Sequence, residues 1–251
     1  MTAPAPPRPR GPSDPPAFPA GLGAVLFDLD GTLLDSLPGI AAGANRVLAE
    51  HGRSTLPVER VRPMIGDGAA MLMRRAFEAT GPAISDSAVE ACVARYAALL
   101  TEMPMGPDDF YTGALDLLRA LADAGIATGV VTNKPPGPTR HALAAAGADA
   151  LVGTVVTGDG PWGRKPSAGP VLEALSRLGV APAGAVMVGD HAADVGAARA
   201  AGIPVVAVSF GYSRTPAAEL GADAVIGDLA ELPAALGAIA YREAQAWERN
   251  P

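Results

Sequence analysis

The chain has 251 residues, 49% of them apolar and 4% aromatic, with a formal net charge of −7 and one cysteine, Cys92. That length allows an α/β domain plus a smaller helical one, with a core built mainly from Ala, Val and Leu. The acidic balance excludes a protein that tracks a nucleic-acid backbone, a lone cysteine excludes an internal disulfide and fits a reducing cytoplasm, and no run of eighteen apolar residues offers a membrane span.

Residues 1–20 carry eight prolines and read as a disordered arm. Its spacing would also suit a polyproline recognition segment, and it has no apolar core of a secretory signal. Order is expected from Gly21. Ala24 to Leu29 is a short apolar run, the pattern of a strand buried on both faces. Similar runs follow at Ala127 to Thr132, Gly153 to Val156, Ala185 to Gly189, Pro204 to Val208 and Ala224 to Ile226. Helical patterns separate most of them, at Gly113–Ala124, Thr139–Ala146, Ala168–Leu178 and Ala192–Ala200. Strands alternating with helices predict an α/β fold with a parallel sheet and right-handed crossovers.

One interval breaks that rhythm. Between Ser36 and Asp108 no strand pattern occurs, while Ile40–His51, Ala69–Thr80 and Asp86–Glu102 read as amphipathic helices. The expected organisation is a sheet domain of residues 21–36 and 109–240, a helical domain of residues 37–108 inserted after the first strand, and a tail of residues 241–251.

Asp28-Leu29-Asp30-Gly31-Thr32 falls at the carboxyl end of the first strand. Ligands bind at that edge of an open parallel sheet, and side chains two apart on an extended chain face the same way. Gly31 lets the backbone turn and approach a ligand. An ordinary aspartate titrates near ~3.9, so Asp28 is a ready nucleophile at neutral pH. Repulsion from neighbouring acids would let Asp30 keep a proton for a leaving group. A solvated turn is the plain alternative.

A second acid pair, Asp190 and Asp194, follows the strand Val186 to Gly189. Asp190 at a sheet edge calls for a positive partner, which Mg²⁺ would supply through oxygen ligands. Asp194 reads equally well as a helix-capping acid. Lys165, in Gly163-Arg164-Lys165-Pro166, is a candidate protein cation or else a surface loop lysine. Thr132 and Asn133 end another strand and suit a phosphate oxygen, although Asn133 before two prolines also reads as a turn signal.

Four strand ends thus carry groups suited to phosphoryl transfer, which needs in-line positioning and neutralised oxygen charge. Asp28 would attack, Mg²⁺ and Lys165 would neutralise, Thr132 would position, and Asp30 would protonate the leaving group. Water would then hydrolyse the aspartyl-phosphate with Asp30 as base. Calcium-loop, P-loop and nucleophile-elbow readings fail on spacing: Leu33 and Gly39 stand where an EF-hand needs Gly and Glu, and Arg164 stands where a P-loop needs Lys.

These segments resemble the haloacid dehalogenase superfamily, in particular its phosphatases with a helical cap. The first motif matches Phe27 to Ser36, the second Val130 to Lys134, the third Gly163 to Pro166, and the fourth Val188 to Asp190 with Asp194. The resemblance implies a Rossmann-like three-layer core with residues 37–108 as the cap. It implies Asp28 as nucleophile, Asp30 as acid and base, and phosphate contacts from Thr132, Asn133 and Lys165. It also implies Mg²⁺ on Asp28, the Asp30 carbonyl and Asp190, supported by Asp194. Asp30 favours phosphate esters over carbon–halogen bonds, and the absence of histidine in Asp35-Ser36-Leu37-Pro38 favours hydrolysis over mutase chemistry.

Val61 to Gly68 and Leu72 to Phe77 are similar to the cap of bacterial phosphoglycolate phosphatases. Arg62, Arg74 and Arg75 are the candidates to meet a substrate carboxylate, since guanidinium pairs it bidentately. Two departures are Thr112, where relatives commonly carry proline, and His191, where a small hydroxyl residue is common and whose ring would alter the pH profile. The implied partner is a small phosphorylated metabolite: 2-phosphoglycolate first, or a sugar or amino-sugar phosphate such as N-acetylmuramate 6-phosphate. A non-catalytic phosphate-binding regulator is the reading from another class. Neither nucleic acid nor membrane is expected as a partner, and the sequence is compatible with a monomer or a homodimer.

Overall fold

A computed structural model describes residues 17–249, with side chains through residue 240. Most of the Pro-rich arm lies outside the described residues. Phe18, just before the expected start of order, already packs against the core. Six parallel strands form one sheet among the described residues: β1 (Ala24–Phe27), β2 (Ala127–Thr132), β3 (Thr154–Thr157), β4 (Ala185–Gly189), β5 (Val205–Val208) and β6 (Ala224–Ile226). Their spatial order is β3-β2-β1-β4-β5-β6. The chain moves outward from β1 through β2 to β3, then returns to place β4 on the other side of β1. That reversal opens a crevice at the carboxyl ends of β1 and β4.

Alternation within the strands builds two cores. Val25 and Phe27 of β1, with Val186 and Val188 of β4, face one apolar cluster. Ala24, Leu26, Ala185 and Met187 face the other. This two-residue period buries both sheet faces. Helices α5 (Ala114–Asp123), α6 (Pro136–Ala145) and α9 (Leu232–Arg249) cover the first face, and α7 (Gly169–Leu178) and α8 (Ala192–Ala201) the second. Helix α6 begins three residues before the predicted Thr139, at Pro136. Proline is tolerated in a first helical turn because the N–H it lacks has no intrahelical partner there. Helix α9 continues to Arg249, through most of the expected tail.

Between residues 37 and 108 the described structure is helical: α1 (Leu37–Glu50), α2 (Val58–Val61), α3 (Ala69–Thr80) and α4 (Asp86–Glu102), with short 3₁₀ turns. They enclose an apolar cluster of their own around Met73, Phe77, Leu48 and Tyr96. The segment's two ends are paired: Asp35 N–H donates to the Asp109 carbonyl at 2.8 Å and Tyr111 N–H to the Leu33 carbonyl at 2.9 Å. Leu34 and Phe110 form an antiparallel bridge between them.

Candidate active site

The crevice gathers the acids of the first and fourth motifs. Asp28 follows β1 directly, and its N–H donates to the Val188 carbonyl at 2.9 Å, so the β1–β4 ladder fixes its backbone. Asp190 follows β4, and Asp194 lies in the first turn of α8. One carboxylate oxygen from each of these three lies within 4.8 Å of the others. Gly31 sits at φ +85°, and a Cβ there would come 2.7 Å from Asp190 Oδ2. The small residue is needed twice over, for the turn and for the close approach of Asp190.

Lys165 enters from the loop between β3 and α7. Its ammonium lies 2.8 Å from Asp28 Oδ1 and donates to Asp194 Oδ1 at 2.6 Å. Lys165 thus bridges Asp28 and Asp194, and its ammonium is the one close side-chain partner of the buried Asp28 Oδ1 among the described residues. Asp194 Oδ2 accepts the His191 N–H at 2.9 Å. Asp194 thus both caps α8 and pairs with Lys165. With both of its oxygens engaged, it is the least free of the three acids, and Asp28 and Asp190 present the freer carboxylates.

The electrostatics show a deficit of positive charge. Burial raises the Asp28 carboxyl to about 6; Lys165 opposes the shift and Asp194 adds to it. Burial, then Asp194 and Asp28, push Asp190 well above the carboxylate range against the Tyr212 N–H and Lys165. Burial alone would discharge Lys165, but the Asp194 and Asp28 carboxylates outweigh it and raise its pKa. A divalent cation with oxygen ligands fits this arrangement: three buried carboxylates with oxygens within 4.8 Å of one another, a single lysine bridging two of them, and a hard, anionic donor set.

Thr132, the last residue of β2, shares one cavity with Asp28 and Asp30. Its Oγ1 accepts the Lys134 N–H at 3.2 Å. Asn133, expected at a phosphate, borders the cavity as well, but its side chain is engaged in holding loops. Its amide donates to the Gly66 and Lys165 carbonyls, each at 3.1 Å, and its oxygen accepts the Lys165 N–H at 3.1 Å. It thereby fixes the backbone that aims Lys165.

Asp30 was expected among repelling acids, yet its direct partner is a cation. Lys134 Nζ donates to Asp30 Oδ1 at 2.8 Å, and both side chains are largely buried. Sequence reasoning gave Lys134 no role, although it sits inside the second motif. Tyr96 of α4 was missed as well; it lines the cavity from the helical side, and its hydroxyl makes no hydrogen bond among the described residues.

The cavity measures about 40 Å³ and is roofed by Ile40, Ile65, Gly66, Ala69, Leu72 and Tyr96 of the helical segment. None of the three candidate arginines lines it. Arg62 donates to the Gly211 carbonyl at 2.6 Å, and Arg74 to Asp86 at 2.7 Å. Arg75 donates to the Met64 carbonyl at 3.0 Å and pairs with Asp67. Acceptors nearer than the cavity take each of them. His191 caps α8, accepting the Ala193 N–H on Nδ1 at 3.3 Å. Its ring lies so close to Gly66 that a Cβ there would come 2.6 Å from Cδ2.

A family model described as haloacid dehalogenase-like hydrolase matches residues 25–208. A phosphoglycolate phosphatase of Rhodospirillum rubrum is 46% identical over 218 residues, covering 85% of this chain and 90% of that protein. The crystal structure of a predicted phosphoglycolate phosphatase from Haemophilus somnus superposes with a TM-score of 0.77 at 27% identity, covering 85% of this chain and 97% of the other. CbbY from Rhodobacter sphaeroides, solved with phosphate, gives a TM-score of 0.71 at 26% identity, covering 86% and 99%.

Proposed function

Because this chain belongs to the haloacid dehalogenase-like hydrolases and is a phosphoric monoester hydrolase, we propose that it converts 2-phosphoglycolate to glycolate and phosphate through an aspartyl-phosphate on Asp28, with Mg²⁺ as cofactor. The observation that carries the reading is the state of Asp28. It is buried at the β1–β4 crevice, borders the same cavity as Asp30, and is paired with the buried Lys165 at 2.8 Å.

Placement supports a role for each residue. Asp28 attacks the phosphorus atom, and Lys165 at 2.8 Å holds the carboxylate in position and balances its charge. Thr132 positions the phosphoryl group. Asp30, oriented by Lys134, hands a proton to the departing alkoxide and then takes one from the water that attacks the phosphoenzyme. Asp28, the Asp30 carbonyl and Asp190 would hold Mg²⁺, with Asp194 in support. When bound, the ion supplies neutralisation of the phosphoryl oxygens.

Residues 37–108 act as a cap that shields these steps from water and faces the leaving group. Tyr96 and Lys134 are the polar side chains placed to read it. A cytoplasmic setting agrees with the free, buried Cys92. No helix among the described residues is long and apolar enough to cross a membrane.

The test is a panel of phosphate esters assayed with Mg²⁺. The expected result places 2-phosphoglycolate among the best substrates by kcat/KM. Clear preference for a sugar phosphate would overturn the substrate assignment, and absence of Mg²⁺-dependent release from any ester would overturn the mechanism.

A further inference from the structure

The loop at residues 210–214, after β5, grips both the cation side of the site and the root of the helical segment. None of the chemistry above uses it. The Tyr212 N–H donates to Asp190 Oδ2 at 2.6 Å. The hydroxyl of the same residue accepts the Leu37 N–H at 3.0 Å and donates to Asp35 Oδ1 at 2.7 Å. Leu37 opens α1, so this N–H is one of the donors that a helix start leaves without an intrahelical partner. Tyr212 is 3% exposed, and it joins the apolar cluster of the helical segment from outside that segment. Its neighbours grip the segment a second time: Gly211 accepts from Arg62, whose guanidinium lies 5.9 Å over the Tyr212 ring, and Arg214 donates to the Pro63 carbonyl.

We propose that Tyr212 is a positioning residue that couples Asp190 to the start of the helical segment at residues 35–37, so that a divalent cation on Asp190 and docking of that segment favour each other. The inference rests on the reading of Asp190 as a cation ligand. Whatever fixes the Asp190 carboxylate also fixes the Tyr212 backbone bonded to it. The buried ring carries that constraint to the hydroxyl, where Asp35 and Leu37 are held. Coupling between two sites is reciprocal: a segment docked by Tyr212 must tighten the cation by the factor with which the cation docks the segment.

The test uses the full chain with Mg²⁺ alone as the probe, and reads amide hydrogen exchange at Leu37, Gly39 and Ile40 by NMR and Mg²⁺ affinity by calorimetry. Tyr212→Phe keeps the ring and the backbone N–H and removes only the hydroxyl. In the parent, Mg²⁺ slows exchange at Leu37. In the variant, the Leu37 amide exchanges about tenfold faster, as loss of a buried hydrogen-bonded link implies. Mg²⁺ no longer slows it, and Mg²⁺ affinity falls by the factor of the lost protection. KM for the phosphate ester rises while kcat at saturating Mg²⁺ stays within about threefold, because no reacting group has been touched. Asp35→Ala, made on an exposed residue, repeats the effect in weaker form, and Asp35→Asn, which keeps an oxygen acceptor, restores it.

Equal Mg²⁺ protection of Leu37 in parent and Tyr212→Phe overturns the coupling. So does Mg²⁺ that binds the parent and leaves Leu37 exchange unchanged, a result under which the cation reading still stands. Failure of Mg²⁺ to bind the parent overturns the cation reading, and the coupling with it. If Tyr212→Phe does not fold, the Asp35 pair decides the matter alone.

Discussion

Asp28 makes the stability of the cation-free protein depend on pH in a direction opposite to that of an ordinary salt-bridged carboxylate. Its pKa is about 6 in the folded protein against an ordinary 3.8. An acid raised on folding is tolerated best when protonated. The stability tied to it is therefore complete below about pH 4 and is lost as pH rises through about 6. At about 1.4 kcal/mol per pH unit, that interval amounts to about 3 kcal/mol. Asp190 is raised as well and steepens the decline. Asp28→Asn has no carboxyl to ionise at this position, and it also removes one of the charges that raise Asp190. Urea denaturation in chelator between pH 4 and 7 should show the parent losing at least about 3 kcal/mol more than the variant over that range. Lys165 stays charged throughout, so the slope isolates the carboxyl from the loss of the Lys165 partner. Mg²⁺ at about a hundred times its Kd should return about 3 kcal/mol to the parent at neutral pH, with release of protons. Parallel pH–stability curves for parent and variant in chelator would refute the reasoning.

The remaining predictions concern turnover and packing. Asp28→Asn should abolish turnover with its circular dichroism unchanged; activity within tenfold of the parent would rule out covalent catalysis at this residue. Lys165→Met should also lose turnover, and should lower stability at pH 7 by about 3–5 kcal/mol in urea denaturation, because Asp28 and Asp194 are left as uncompensated buried charges. Tyr96→Phe should keep the fold and raise KM for 2-phosphoglycolate, with little effect on a chromogenic aryl phosphate, whose leaving group carries no carboxylate. An equal effect on both substrates would remove Tyr96 from substrate reading.

The sequence made the sheet and its acids legible for a physical reason. Strands buried on both faces read as uninterrupted apolar runs, so the polar residue that ends each one stands out: Asp28 after Phe27, Asn133 after Thr132, Asp190 after Gly189. The helical interval was equally clear, because a 3.6-residue period over α3 and α4 cannot be mistaken for alternation. What stayed hidden depends on pairing across the chain. Lys134 meets Asp30 across 104 residues, and the Tyr212 hydroxyl meets Asp35 across 177. Neither carries a local pattern. The arginines misled for a related reason: a long guanidinium takes the nearest good acceptor, and Asp86, Asp67 and the Gly211 carbonyl lie closer than the cavity. Tyr96 reads in sequence as an ordinary core aromatic, and only the packing of α4 shows that it lines the cavity.

The pairing of Asp35 with Asp109 and of Tyr111 with Leu33 has an evolutionary consequence. It turns the rim of the sheet into a socket whose two contacts stand next to each other. Any independently packed module with adjacent ends can be spliced there without stretching the scaffold, and the entropic cost of a longer graft grows only slowly with its length. Selectivity can thus be exchanged as a cassette while the reactive carboxylates stay where β1 and β4 put them.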